Sequence, residues 1–353
     1  MRPSGEAVLE LIGTPGNPVP DGAIVSAVGA ADGVFLRIAR WAPGPDVAGT
    51  ICVFTGRGEF IEKYFETIRE LVARNFSVVA MDWRGQGGSA RELPDSRKGH
   101  IDDFSMFERD LEALYRQVLQ FLCPRPWFAL AHSMGGSILL SQARSGNSPF
   151  ERLVLTSPMI EIGGPLRRRS ARGLVELADI AGFGAAFAPG QGRTSAMTRP
   201  FAGNNLTSDP VRYARNAEIV AVAPHLAVGG PTIGWTNAAL RLTRRLTDPE
   251  FARRTTTPVL IFGASEDKVV STPATARFAN QLKAGGMVLL PGARHEILQE
   301  RDEIRSQFWA AFDAFIPGAR DRAQVLQHAS ETAQALALAR PWWRRMFGPR
   351  RAA

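Results

Sequence analysis

Cysteine, lysine and long apolar runs are all scarce in this chain of 353 residues. The two cysteines, Cys52 and Cys123, lie in apolar segments, which excludes a disulfide framework or a cysteine-rich zinc site and favours a reducing compartment. No run reaches the roughly 18 apolar residues that a membrane-spanning helix needs. Glu6, Glu10 and Pro15 interrupt the N-terminal segment, so it does not read as a signal peptide. We therefore expect a soluble protein of the cytoplasm.

Arginine carries almost all of the positive charge. The formal net charge is +8, and only four of the 42 basic residues are lysine. The arginines are spread along the chain, apart from residues 167–169 and the last dozen residues, whereas a nucleic-acid interface needs a clustered basic patch. We therefore expect no nucleic-acid partner.

Short apolar segments rich in β-branched residues alternate with longer amphipathic segments. This alternation predicts parallel strands joined by crossover helices, preceded by a hairpin. The predicted strands are Ala23–Val28, Val34–Trp41, Thr50–Phe54, Ser77–Met81, Trp127–Ala131, Arg152–Thr156, Pro258–Phe262 and Met287–Leu290. Apolar residues recur at helical spacing over Glu62–Arg74 and Phe104–Phe121. The pattern indicates an α/β fold with a mostly parallel central sheet and helices on both faces.

The strand rhythm stops between about residues 158 and 248, where small residues, arginines, glycines and prolines prevail. An insertion between two core strands explains this change, and it would lie over one end of the sheet as a helical cap. We therefore assign residues 1–157 and 249–317 to an α/β core. Residues 158–248 are assigned to the cap and residues 318–353 to a C-terminal basic tail.

A predicted strand runs directly into a turn of the form small-x-Ser-x-Gly at Ala131–Gly135, and a helix is predicted over Gly136–Ala143. This is the pattern of a nucleophile elbow, in which a tight turn exposes the serine. Alanine stands at the first position, where glycine is usual, but it is small enough to pack there. We predict Ser133 as the nucleophile and expect the side chain of its neighbour His132 to point away.

A serine hydroxyl needs a base to accept its proton. Apart from His132, which is expected to point away, only His295 among the five histidines lies in a loop just after a predicted strand, at the edge of the sheet where catalytic groups of open α/β folds gather. Asp267, just past the preceding strand, is predicted to orient this histidine, with Glu266 as the alternative. The chain order Ser, Asp, His matches the triad order of α/β-hydrolases. Asp82 and the pair 102–103 are assigned structural roles in turns and caps.

The transition state of acyl transfer also needs backbone N–H donors for its oxyanion. Met134, directly after the nucleophile, is one expected donor. The other is Arg57, in the loop Thr55-Gly56-Arg57-Gly58 that follows the strand Thr50–Phe54. The alternative for this loop is an ordinary glycine-rich turn.

These residues together resemble the bacterial lysophospholipase and monoacylglycerol lipase branch of the α/β-hydrolases, also described as serine aminopeptidase S33-like or Hydrolase_4. The resemblance covers roughly residues 24–316. It rests on residues 56–64 (GRGEFIEKY), 82–89 (DWRGQGGS), 292–296 (GARHE), the Ser133 elbow, and the cap segments 205–209 and 228–232. Thr55 departs from the family, which usually has histidine there.

The resemblance implies hydrolysis of carboxylic esters of single-chain lipids through an acyl-enzyme, with a small-molecule lipid ester as substrate. It implies neither a metal nor a diffusible cofactor. The cap would form an apolar channel for the acyl chain, in keeping with the apolar content of residues 173–188. Three alternatives stay open: a general carboxylesterase or S33-type peptidase acting on small soluble substrates, a transacylase, and a non-catalytic binding protein of this fold. The head group, the acyl-chain length and the oligomeric state are not indicated.

The tail combines two tryptophans, a phenylalanine and five arginines between Arg340 and Arg351. Such a segment can rest on an anionic membrane surface, so one hypothesis gives the enzyme a peripheral position at the inner membrane face. A disordered basic terminus is the alternative, and it is favoured.

Overall fold

A computed structural model describes residues 8–318 except 45 and 147, and the strands of this part form one eight-stranded sheet in the order β1-β2-β4-β3-β5-β6-β7-β8. The strands are β1 Ile24–Gly29, β2 Phe35–Trp41, β3 Thr50–Phe54, β4 Ser77–Met81, β5 Trp127–His132, β6 Arg152–Thr156, β7 Val259–Ala264 and β8 Gly285–Leu290. β2 pairs antiparallel with both β1 and β4, and the other pairs are parallel. The predicted fold class is confirmed, and each predicted strand end lies within two residues of the observed one.

Helices connect the strands. They are α1 Phe65–Ala73, α2 Met106–Leu114, α3 Gln120–Leu122, α4 Met134–Ala143, α5 Arg169–Ala178, α6 Pro210–Val222, α7 Ile233–Leu246, α8 Pro249–Arg253, α9 Thr272–Ala279 and α10 Asp302–Phe315. A π-helical turn, Tyr115–Leu119, joins α2 to α3, so the predicted helix Phe104–Phe121 is continuous in its interior but not uniformly α-helical. α4 begins two residues before the predicted Gly136, because the helix starts directly after the tight turn.

Both faces of the sheet are covered, as the alternation of side chains along a strand requires. In β3, Cys52 and Phe54 pack on one face with residues of α2, α4, α7 and α9. Ile51 and Val53 pack on the other face with residues of α1 and α10. The sheet is thus buried on both sides, and its loops at the carboxyl ends of the strands are free to build a site.

The segment between β6 and β7 holds α5 to α8, although these two strands are direct neighbours in the sheet. Part of it is integral to the core, since α7 contributes Ala239 and Leu242 to the cluster that contains Ile138 of α4. The division at residues 158 and 248 stays a prediction. In the stretch described by the structure, no helix is both long and apolar enough to cross a bilayer.

Asp82, at the end of β4, ties several loops together. Its carboxylate accepts hydrogen bonds from the amides of Ile61 (3.0 Å) and Gly88 (2.7 Å). It also lies 2.6 Å from the guanidinium of Arg37, and all four residues are buried. A Cβ at Gly87 would lie 2.2 Å from the same carboxylate carbon, so only glycine fits there. The role of Asp82 is structural, but it is a buried ionic junction rather than a simple turn.

Candidate active site

Loops that follow three parallel strands bring Ser133, Asp267 and His295 together. Ser133 comes directly after β5, Asp267 follows β7 and His295 follows β8. His295 Nε2 lies 3.0 Å from Ser133 Oγ, and His295 Nδ1 lies 2.8 Å from Asp267 Oδ2. The side chains of His295 and Asp267 are only 5% and 1% exposed. This hydrogen-bonded chain can move the serine proton to the imidazole and stabilise the resulting charge.

Ser133 has a strained backbone. Its φ of 50° and ψ of −112° lie in a region that residues with a side chain rarely adopt. The turn is held because the Ser133 amide donates to the carbonyl oxygen of Thr156 at 2.9 Å. A Cβ at Gly135 would lie 2.8 Å from the carbonyl oxygen of Thr55, so the adjoining position requires glycine. Since α4 starts at Met134, the positive end of a helix dipole lies beside the serine.

The charges of the histidine and the aspartate support each other. The amides of Val269 and Val270 donate to Asp267 Oδ1 at 2.8 and 3.0 Å. Burial opposes ionisation of Asp267, but His295 and these amides hold the pKa of Asp267 below its ordinary value. Burial also opposes protonation of His295, yet the charge and hydrogen bond of Asp267 outweigh it and raise the pKa of His295. The alternative Glu266 is exposed to solvent, so the structure brings Asp267, not Glu266, to the histidine.

The expectation that His132 points away is wrong. Its ring centroid lies 4.8 Å from that of His295, and its Nδ1 lies 3.1 Å from the carbonyl oxygen of Thr156 on the neighbouring strand. Because a carbonyl oxygen only accepts, Nδ1 carries the proton. Burial is the main cause of a His132 pKa of about 3. His132 is therefore neutral and adds no positive charge beside His295.

The other histidines stand apart from the serine. The ring nitrogens of His100 form hydrogen bonds with the Thr232 hydroxyl (2.8 Å) and the Asp102 carboxylate (3.0 Å). His225 is exposed, and His328 lies outside the described residues.

The sequence does not predict a buried ionic cluster that includes Glu296, the neighbour of His295 in the chain. Lys63 Nζ lies 2.6 Å from Glu59 Oε1 and 2.6 Å from Glu296 Oε1. The Tyr64 hydroxyl donates to Glu59 Oε2 at 2.6 Å, and the Gly56 amide donates to the same oxygen. Burial works against the charge of Lys63, but the two carboxylates raise the pKa of Lys63. All these residues belong to motifs that carry the resemblance, but spacing alone assigns them no role.

The loop after β3 is anchored on both sides of Arg57. Gln86 Nε2 donates to the Gly56 carbonyl oxygen at 2.7 Å, and the Gly58 amide donates to Gln86 Oε1 at 2.9 Å. Arg57 lines the same cavity as the serine. The Met134 amide belongs to the first turn of α4, where N–H groups have no intrahelical partner. One predicted oxyanion donor therefore lies in a loop held by Gln86 and the other at the first residue of α4, directly after the nucleophile, and their role stays a prediction.

A cavity of about 250 Å³ opens over Ser133 and His295. The segment between β6 and β7 contributes residues from Gln191 to Arg199, Leu206 and residues 228–230. A larger depression of about 700 Å³ beside α2 shares no residue with this cavity. In the chain as described, no group of three or more His, Cys, Asp or Glu side chains is arranged to hold a metal ion.

The expectation that residues 173–188 line this cavity with apolar side chains is wrong. α5 packs inwards through Val175, next to Ile233 and Leu240 of α7. Four of the segment's large apolar side chains, Leu174, Leu177, Ile180 and Phe183, are instead 60–76% exposed. Apolar content alone could not tell an inward face from an outward one.

Comparison with known proteins agrees with this geometry. The family model described as serine aminopeptidase, S33 (Hydrolase_4) matches residues 45–302. Lysophospholipase L2 of Escherichia coli (strain K12) is 34% identical over 287 residues, covering 78% of this chain and 82% of that protein. A monoacylglycerol lipase of Mycolicibacterium smegmatis is 24% identical, covering 77% and 89%. A soluble variant of monoglyceride lipase from Saccharomyces cerevisiae, solved with a substrate analogue, has the same fold, with a TM-score of 0.63 at 18% identity over 84% of this chain and 97% of that chain.

Proposed function

The chain belongs to the serine aminopeptidase S33 (Hydrolase_4) family of α/β-hydrolases, and from this membership we propose that it hydrolyses carboxylic esters of single-chain lipids through an acyl-enzyme on Ser133. The observation that carries the proposal is the buried chain of hydrogen bonds from Ser133 Oγ through His295 to Asp267, which opens into a cavity. The relatives named lysophospholipase and monoacylglycerol lipase support a lipid ester as the substrate.

The proposed reaction has two halves. Ser133 Oγ attacks the ester carbonyl carbon while His295 Nε2 accepts the proton of the serine hydroxyl. Asp267 stabilises the imidazolium that forms. The amides of Met134 and Arg57 donate to the oxyanion. The intermediate collapses, the bond to the alcohol breaks and His295 returns the proton to the leaving alcohol. Water then attacks the acyl-serine in the same way, releasing the fatty acid and restoring the serine.

Hydrolysis assays test this function. We expect wild type to cleave p-nitrophenyl esters with a preference for longer acyl chains, and to cleave lysophosphatidylcholine or monoacylglycerol. Ser133→Ala should lose all of these activities. Activity confined to short esters would favour the general carboxylesterase, and acyl transfer to an added alcohol would favour the transacylase. Activity that survives in Ser133→Ala would contradict the mechanism.

We also propose a cytoplasmic protein that contacts an anionic membrane surface peripherally. The hypothesis that the tail makes this contact falls on residues outside the described part. A second surface supports the contact: four large apolar side chains are exposed on α5 and the π-helical turn Asp179–Phe183, and the exposed Arg168 and Arg169 stand at the start of α5. Exposed apolar side chains on a helix that begins with arginines suit the interface of an anionic bilayer. We call this surface the outer cap face; its apolar residues are Leu174, Leu177, Ile180 and Phe183.

A further inference from the structure

The side chain of Arg57 points to a ligand that neither the fold nor the triad specifies. We propose that its guanidinium, assisted by Arg199, binds a phosphate group of the substrate, so that the preferred substrates are phosphate-bearing single-chain esters rather than neutral monoacylglycerols. The proposal rests on the proposed function, because it concerns the same cavity, and it adds a head-group preference.

Arg57 is a partly buried cation that pairs with no carboxylate among residues 8–318 as described. Its Nη2 donates to the Gly229 carbonyl oxygen at 2.7 Å, and its Cζ lies 5.1 Å from the ring centroid of Trp235. Its Nε is buried and has no hydrogen-bond partner among the described residues. Burial lowers the pKa of Arg57 to about 10, so it stays protonated near neutral pH. A desolvated charge that lacks a partner is costly, and a bound anion would remove that cost.

The carboxylates of the cavity cannot serve as this anion. Glu59 and Glu296 also line the cavity, but both are bound to Lys63 at 2.6 Å. Another buried arginine without a carboxylate, Arg91, satisfies its guanidinium by donating to three backbone carbonyl groups. Among the described residues, Arg57 pairs with no carboxylate and donates to a single backbone carbonyl group, that of Gly229. Unlike Arg91, it lies in the wall of the cavity over the serine.

The length of the arginine side chain suits a glycerol phosphate. Six covalent bonds separate the Arg57 amide nitrogen from Cζ. Six bonds also separate the ester carbonyl carbon of a 1-acyl lysophospholipid from its phosphorus, so each span is at most roughly 8 Å. If the amide donates to the ester carbonyl oxygen, the guanidinium of the same residue can reach the phosphate of the same molecule. A guanidinium binds phosphate oxygens through two parallel N–H donors, whereas the free hydroxyl of a monoacylglycerol leaves the charge unpaired.

The mouth of the cavity is also basic and polar. Arg199 is exposed and lines the cavity, and the Tyr213 hydroxyl donates to its carbonyl oxygen at 3.0 Å, which anchors the backbone there. The hydroxyl-bearing residues Thr194 and Ser195 line the same wall. A second cation at the mouth attracts an anionic head group before it reaches Arg57.

Binding to an inactive protein tests the site without hydrolysis. In a Ser133→Ala background, isothermal titration calorimetry compares dodecyl phosphate with the neutral ether 1-O-dodecylglycerol. We expect the phosphate to bind about tenfold tighter or more, and Arg57→Gln to remove this preference. Arg253→Gln, on the surface helix α8, is the matched control and should keep it. Equal affinity for the two ligands, or an unchanged preference in Arg57→Gln, would overturn the proposal.

Kinetics separate this inference from the proposed function. The measured quantity is the ratio of kcat/KM for lysophosphatidylglycerol to that for the monoacylglycerol with the same acyl chain. We expect this ratio to fall about tenfold in Arg57→Gln and about threefold in Arg199→Gln. Because the side chain of Arg199 is exposed, its replacement should leave the fold intact. If wild type cleaves neither lipid, the proposed function fails. If it cleaves both and the ratio is near one, or does not fall in either variant, only the phosphate site fails.

Discussion

His295 is the residue whose protonation state controls the proposed chemistry. It must be neutral to accept the proton of Ser133, but the charge of Asp267 favours the protonated ring and, despite the opposing effect of burial, raises the pKa of His295 above its ordinary value of about 6.5. The neighbouring ring of His132 stays neutral, so it does not oppose protonation with a full positive charge. The rate is therefore expected to rise with pH through the raised pKa of His295.

Replacing Asp267 tests this balance. We expect the acid limb of the pH profile of kcat/KM to lie above about pH 6.5 in wild type. In Asp267→Asn the limb should move to lower pH, because no carboxylate stabilises the imidazolium, and kcat should fall by about three to four orders of magnitude. Glu266→Gln is the matched control and should keep the wild-type profile. A limb in Asp267→Asn that does not move would show that Asp267 does not act on His295.

Single residues differ in how well the sequence predicts them. Ser133 and His295 could be proposed because each follows a strand, and strand ends meet at one edge of a parallel sheet. The orientation of His132 could not be proposed, since it depends on Thr156 of the neighbouring strand. The ionic cluster around Lys63 is also not predictable from the sequence, because it depends on Glu296, which follows β8 and is distant from Lys63 and Glu59 in the chain. The catalytic roles themselves stay predictions.

At the scale of elements, the loop after β3 depends on a residue from the loop after β4. Gln86 holds the Gly56 carbonyl group and the Gly58 amide at once. Its Nε2 also donates to the Glu59 carbonyl oxygen at 3.1 Å. Gln86 is therefore a positioning residue for the amide of Arg57, which it does not touch.

The variant Gln86→Leu tests this positioning. We expect kcat to fall about tenfold to hundredfold with a much smaller change in KM, because an oxyanion donor acts on the transition state more than on the bound ester. Gln117→Leu is the matched control, since its amide bonds to the Gly29 carbonyl group on an exposed surface. An unchanged kcat, or a loss of thermal stability without a change in kcat, would contradict the positioning role.

Strands were predictable from sequence and the helices between β6 and β7 were not. The strands of the parallel sheet are buried on both faces, so they appear as short continuous apolar runs. α5 offers no such signal, because it presents large apolar residues to solvent and packs through Val175. The direction in which such a helix faces is decided by its partner α7, which is distant in sequence.

At the scale of the whole molecule, the net charge of +8 and the outer cap face both suit an anionic surface. Leu177 and Ile180 are 65% and 76% exposed, and neither lines the cavity over the serine. Each would insert an aliphatic side chain into the interface, which stabilises the bound state by about 1.5–3 kcal/mol when burial is complete.

The double variant Leu177→Ser, Ile180→Ser tests this contact. We expect binding to vesicles that contain phosphatidylglycerol to weaken at least about tenfold, measured by cosedimentation, with unchanged hydrolysis of a short soluble ester. Phe121→Ser, which removes a 77% exposed side chain from α3, is the matched control. Binding that is unaffected by the double variant but lost on deletion of residues 319–353 would assign the contact to the tail instead.

Covalent labelling tests the central claim most directly. A fluorophosphonate reacts with an activated serine, and intact-mass spectrometry followed by peptide mapping locates the adduct. We predict one rapid adduct on wild type, located at Ser133, no adduct on Ser133→Ala, and strongly slowed labelling in His295→Ala. An adduct that persists in Ser133→Ala, or a wild-type protein that does not react, would contradict the assignment of Ser133 as the nucleophile.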